Sequence, residues 1–156
     1  MEIKLYSDVF CYLDDLDKFD ALRTVISSCS VFSTLPVSRE EFENAVINRE
    51  KLQSTDIGHG VAIAHGKIPG LDSTRIALGF SRNGITFKSN SVPVHLIFVI
   101  ASPLENDTDY LKSVASLLSW IHDPLFRDKL EKLEVCDDQE CFFKMLQSQH
   151  FQLKSK

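Results

Sequence analysis

The sequence predicts a layered domain of the α/β or α+β class, and three observations carry that expectation. Apolar residues recur with a period of two through the middle of the chain, from residue 61 to about residue 100. A helical period stands on either side of that block, an arrangement that places helices against a sheet. Finally, 156 residues suffice to close one hydrophobic core, with no repeat, low-complexity tract or linker to divide them. Residues 1–156 are therefore read as a single domain.

Each element has a local reason. "DVFCYLD" (8–14) is rich in strand formers and is expected to enter the sheet. "DLDKFDALRTVISSCSVF" then spaces Leu16, Phe19, Leu22, Val25 and Ile26 as one face of an amphipathic helix. Ser38 followed by Glu41 forms a capping box that starts a second helix, with Phe42, Ala45 and Val46 inward and Arg49 near its end. Past "STDIGHG" four strands are expected: "VAIAH", "TRIALGFS", "ITFKS" and "VPVHLIFVI". "KIPGLDS" and "SRNGIT" read as turns, and Asn83-Gly84 as a hairpin signal. The helical period returns in "TDYLKSVASLLSWIHD", with Leu111, Val114, Leu117, Leu118 and Ile121 on one face, and Pro124 beyond it. Two further helices are expected in "PLFRDKLEKL" and "DDQECFFKMLQSQ", the latter with an acidic first turn suited to the helix dipole.

Composition narrows the function. A formal charge of −5 repels a phosphate backbone, so no nucleic-acid partner is expected. No apolar run approaches the roughly 20 residues of a membrane helix; "VPVHLIFVIA" (92–101) is too short and carries a proline and a histidine. The N-terminus lacks a secretory layout, so a cytoplasmic protein with no membrane insertion is expected. Cys11, Cys29, Cys136 and Cys141 are scattered without a C-x-x-C pair and read as free thiols. A zinc site from His59, His65 and a cysteine has no ligand-spacing signature, and neither metal nor cofactor is expected.

The chemistry concentrates in "REKLQSTDIGHGVAIAHGKIPGL" (49–71). Arg49 is a permanent cation whose planar fork suits a phosphate or carboxylate, although it could equally serve carbonyls at a helix C-terminus. Ser54 and Thr55 supply hydroxyl donors, and Gly58 and Gly60 let backbone amides approach an anion. His65, at the end of a short apolar strand, is a core residue, a metal ligand or a nucleophile. It is the nearby side chain able to be neutral and nucleophilic at pH 7. A nucleophilic imidazole beside a guanidinium and several donors meets the needs of a phosphohistidine site. His59 reads as an exposed turn residue between glycines, and His95, inside an apolar strand, as a satisfied structural one.

The block "RE…ST-IG-GVAI-HGK", followed by Gly84 and Phe87, "PVHLIFVIASP" (93–103), a helix and "LFRDKL" (125–130), resembles the fructose/mannitol-type enzyme IIA domain of the bacterial phosphoenolpyruvate-dependent phosphotransferase system. The nitrogen-regulatory branch looks closest. The resemblance spans nearly the whole chain in order. It implies an α/β fold with a central mixed sheet of about five strands and helices on both sides. It also implies a phosphocarrier whose histidine, here His65, receives phosphate from the phosphocarrier protein HPr. By the same resemblance Arg49 would be the family's arginine near the phosphate, and Ser54 and Thr55, which match the "ST" preceding the glycine turn, are expected to help hold the phosphate. Two positions depart from the pattern: Ala64 stands where proline usually precedes the active histidine, and Tyr110 where a second histidine is usual. One residue of slippage would put Asp109 there instead. A tyrosine hydroxyl can still donate to a phosphoryl oxygen but carries no charge. With neither a fused transporter nor a second carrier domain in the sequence, a regulatory phosphoprotein is expected. The alternatives are a soluble IIA subunit that passes phosphate to a IIB component of a sugar permease, and a binding module without transfer chemistry. Regulatory target proteins are further expected partners.

Overall fold

A computed structural model describes residues 10–14, 17–89 and 91–122. The two helices expected beyond Pro124, and Cys136 and Cys141, lie outside the described residues. The elements run β1 (Phe10–Leu13), α1 (Lys18–Ser28), a 3₁₀ turn (Ser30–Phe32), α2 (Arg39–Leu52), β2 (Asp56–Gly58), β3 (Val61–Ile68), β4 (Arg75–Ile85), β5 (Val94–Pro103) and α3 (Thr108–Ile121).

The helices begin where the sequence supplies an acceptor for their unpaired amides. Asp17 takes the Asp20 N–H at 2.9 Å at the start of α1, and Ser38 takes the Glu41 N–H at 3.1 Å at the start of α2. Ala21, Leu22, Val25 and Ile26 of α1 and Phe42, Val46 and Ile47 of α2 are buried.

The sheet order is β1-β4-β5-β3-β2. Strands β1 and β4 pair in parallel, as do β3 and β5, while β4–β5 and β2–β3 are antiparallel, so the sheet is mixed. Side-chain alternation along β3 shows how its faces are covered. Ala62 and Ala64 join Val25, Phe42 and Val46 in one buried cluster. At Gly66 a β-carbon would sit 2.9 Å from the Phe42 ring, so α2 packs directly on the bare backbone. His65, between them, faces the other way and meets Tyr110 of α3. Helices therefore lie on both faces, and His65 sits beneath α3.

Three expectations about the elements are corrected. Residues 56–58 form an edge strand that composition did not reveal, joined to β3 through His59-Gly60, both with positive φ, as a tight two-residue hairpin requires. Asn83-Gly84 is not a hairpin between two strands. β4 continues through it, and its pairing with β5 slips from Phe80–Leu96 to Ile85–Val94. The surplus residues loop out in a bulge whose Gly84 N–H is taken by the Ser81 hydroxyl at 3.0 Å. "ITFKS" consequently contributes only Ile85 to the sheet. Leu111 is 62% exposed, because the inward stripe of α3 runs through Tyr110 and Leu117 instead.

Candidate functional site

His65 ends a run of four apolar β3 residues, in register with Ile100 of the parallel strand β5. The residue is 9% exposed. Nε2 lies 2.7 Å from the hydroxyl of Ser102, a residue of β5 that is itself fully buried. The Tyr110 ring stacks on the imidazole at 3.8 Å between centroids and 11° between planes. Ser102 thus fixes the ring's edge and Tyr110 one of its faces.

The electrostatics make this ring a weak base. Burial is the largest cause, followed by the Lys67 ammonium and the Arg49 guanidinium, with Asp107 opposing them; together they lower the pKa from 6.5 to about 4. At pH 7 the imidazole is neutral and keeps a nitrogen lone pair. Lys67 follows His65 by two residues on the same face of β3, and its Nζ pairs with Asp107 Oδ1 at 3.0 Å just before α3.

Arg49 stands at the end of α2, where Nη1 donates to the Gln53 carbonyl at 2.9 Å. It closes the helix C-terminus, and its charge contributes to the low pKa of His65. Thr55 is differently placed from the donor anticipated in the sequence. Its hydroxyl donates to the buried carboxylate of Glu50, which also takes the Thr55 N–H at 3.0 Å and pairs with Lys18 at 3.0 Å. A carboxylate is a strong acceptor, so this hydroxyl fastens the turn between α2 and β2. Ser54 is half-buried and its Oγ accepts from the Asp56 N–H at 3.2 Å.

His59 is exposed at the β2–β3 turn with φ 59°, its ring edge-on to His122 at 5.7 Å. His95 is satisfied through Nδ1 and the Ser81 carbonyl at 2.8 Å. Among the described residues no three His, Cys, Asp or Glu side chains converge as metal ligands, and no helix is long and apolar enough to cross a membrane. Cys11 and Cys29 are buried and take part in no disulfide.

Sequence reasoning missed Ser102, Lys67 and Asp107. Lys67 was accessible through the period of two that places it beside His65. Ser102 required knowledge that β3 and β5 are parallel neighbours, and Asp107 required the position of α3.

Residues 7–149 match the family model described as "Phosphoenolpyruvate-dependent sugar phosphotransferase system, EIIA 2". A nitrogen regulatory protein of Bradyrhizobium diazoefficiens is 33% identical over 109 residues, 69% of each chain. The fructose-specific EIIABC component of Bacillus subtilis is 32% identical over 100 residues, 64% of this chain but only 16% of that relative's length. The crystal structure of the nitrogen regulatory protein IIA-Ntr from Neisseria meningitidis superposes with a TM-score of 0.75 at 23% identity, covering 94% of this chain and 99% of that one. The mixed five-stranded sheet with helices on both faces is the fold of that neighbour. The chain belongs to the phosphoenolpyruvate-dependent sugar phosphotransferase system EIIA 2 family.

Proposed function

We propose that this protein is a cytoplasmic, regulatory phosphohistidine carrier, phosphorylated on His65 by HPr within the phosphoenolpyruvate-dependent phosphotransferase system. The observation that carries the reading is a buried imidazole, bonded to Ser102 and stacked on Tyr110, whose pKa is lowered to about 4 by burial and by the charges of Lys67 and Arg49. Neutrality leaves the lone pair for attack on phosphorus, and the cations receive the charge that arrives. In the transfer, the N–P bond of the donor phosphohistidine breaks as an N–P bond to His65 forms, so one phosphohistidine replaces another. Little beyond in-line positioning and stabilisation of the phosphoryl oxygens is needed.

The stacked Tyr110 ring is compatible with this attack. A ring nitrogen's lone pair lies in the imidazole plane, so a donor approaches the ring's edge while the tyrosine covers a face. Arg49 supplies a guanidinium to the phosphoryl oxygens, joined by Ser54 and the Tyr110 hydroxyl. Thr55 acts through Glu50 by holding the turn that carries β2 alongside β3. The nitrogen regulatory relative, matched over 69% of its own length, supports the regulatory role. The fructose-specific relative supports a second reading, in which the phosphate passes on to a IIB component of a sugar permease.

Incubation with phosphoenolpyruvate, enzyme I and HPr, followed by intact mass measurement, tests the proposal. One added phosphate that disappears in His65→Ala is expected. No gain, or a gain that persists in the variant, overturns it. Transfer from the loaded protein to a purified IIB separates the two roles.

A further inference from the structure

Lys67 and Asp107 lie at the rim of the site, and the scheme above uses Lys67 only as a nearby charge and Asp107 not at all. Lys67 is on the His65 face of β3 and directly in register with Ser102, the residue bonded to the imidazole. Its ammonium is the leading charge acting on the His65 ring, ahead of Arg49. In the resting protein that ammonium is bound to Asp107 at 3.0 Å, with both side chains about half exposed. Asp107 occupies the N-cap position of α3: its carbonyl accepts the Leu111 N–H at 2.9 Å.

We infer that Lys67 is a phosphoryl-binding residue, and that phosphorylation of His65 makes it exchange the Asp107 carboxylate for the phosphoryl oxygens. This rests on the proposed phosphorylation of His65. A phosphoryl group brings nearly two negative charges and three strong acceptors, against one charge on Asp107. Lysine is suited to the exchange because its charge sits on a flexible four-carbon stem, whereas Arg49 is tied to the Gln53 carbonyl. The carboxylate left behind faces the new negative charge on one side. On the other stand the first amides of α3, a favourable place for an anion at a helix N-terminus. Loading of His65 is thereby felt at the start of the helix that carries Tyr110, the surface a partner would meet beside the phosphoryl group. The Lys67–Asp107 pair is the link between phosphorylation state and that surface.

The measurement is the equilibrium partition of phosphate between HPr and this protein, read by intact mass on both. Lys67→Gln should lower the ratio of phosphorylated protein to phosphorylated HPr about five- to tenfold, the weight of one partly screened charge a few ångströms away. Asp107→Asn should raise it several-fold, because it removes both a competitor for the ammonium and a repulsion. The double variant should lie only slightly above Lys67→Gln, since without the ammonium there is nothing for Asp107 to withhold and only its repulsion is removed. Opposite signs from the two halves of one ion pair are not produced by loss of a structural contact, which would move both variants the same way. Breaking a half-exposed pair leaves the fold intact, which circular dichroism checks. Phosphorylation of the unsubstituted protein with an unchanged ratio in Lys67→Gln, or with a lowered one in Asp107→Asn, overturns the exchange alone. Failure of the unsubstituted protein to take phosphate overturns the carrier reading and the exchange with it.

Discussion

Replacing His65 by glutamine should change the acid sensitivity of folding in a direction and by an amount that the site sets. In the folded chain burial, Lys67 and Arg49 hold the imidazole pKa at about 4, against 6.5 for the unperturbed group. The unfolded chain therefore binds the proton more readily, and stability falls as pH is lowered. The contribution is negligible at pH 7, begins to be felt as pH passes 6.5, and grows until the folded-state value is reached. Integrated over that window, the ring costs about 1.4 kcal/mol at pH 5.5 and about 3 kcal/mol at pH 4. Glutamine has no such titration, so His65→Gln should lose less stability between pH 7 and pH 4 than the unsubstituted protein, by about 3 kcal/mol. Carboxylates elsewhere titrate in both proteins and largely cancel in the difference. The assay is urea unfolding at a series of pH values, with NMR titration of the His65 ring protons as the direct reading. A ring midpoint near 6.5, or parallel stability curves for the two proteins, would refute the reasoning. It would also remove the ground for a neutral nucleophile that persists under mildly acidic conditions.

Three other perturbations probe the supports of that ring. Gly66→Ala brings a β-carbon within 2.9 Å of the Phe42 ring and 3.0 Å of Val46 Cγ2, and should cost about 1–3 kcal/mol in a denaturation series; an unchanged midpoint would show that α2 can withdraw from β3 freely. Ser102→Ala removes the buried partner of His65 Nε2, and should cost about 1–3 kcal/mol and redistribute the ring tautomers in nitrogen NMR spectra. Unaltered shifts would mean that the hydroxyl does not set the tautomer. Tyr110→Phe keeps the stacked ring and should leave the His65 midpoint near 4, whereas Tyr110→Ala opens the site to water and should raise it toward 6.5. Equal displacement by both variants would assign the effect to the hydroxyl rather than to desolvation.

The parts of this structure legible in the sequence are those governed by neighbours in the chain. Ser38 starts a helix through a contact three residues away, and Phe42 and Val46 mark an inner face by spacing alone. His65 could be singled out because Arg49, Ser54, Thr55 and the glycine turn lie within one short block. What escaped depends on pairing between distant segments. The bulge at Asn83-Gly84 is decided by where β5 resumes its register, and the same dipeptide would have closed a hairpin had β5 followed two residues later. Thr55 offers a hydroxyl to any acceptor in reach, and only the fold shows that buried Glu50, five residues earlier, takes it. The short strand β2 lacks a strand-like composition and exists because β3 presents it an edge.

The proposed function places on the site two demands that ordinarily conflict. A histidine that is to attack phosphorus must be neutral, which favours burial, and must be reached by another protein, which favours exposure. Burying the ring within a core would meet the first demand alone. Here the conflict is lowered geometrically: His65 follows the apolar run 61–64 of β3, and the exposed Lys67 lies two residues further along the same face. Tyr110 strips water from a face of the imidazole that carries no lone pair, so this contact desolvates the ring without occupying its edge. The cations add to the effect in a way burial cannot. They depress the basicity of the ring, and under the proposed function they also attract the phosphoryl charge after transfer, so the same Lys67 and Arg49 favour the empty neutral ring and the loaded anionic one. A second histidine in place of Tyr110 would add a third, pH-dependent cation to that set. With tyrosine there, the charge that meets the phosphoryl group is fixed by lysine and arginine, and loading should vary little with pH between about 6 and 8.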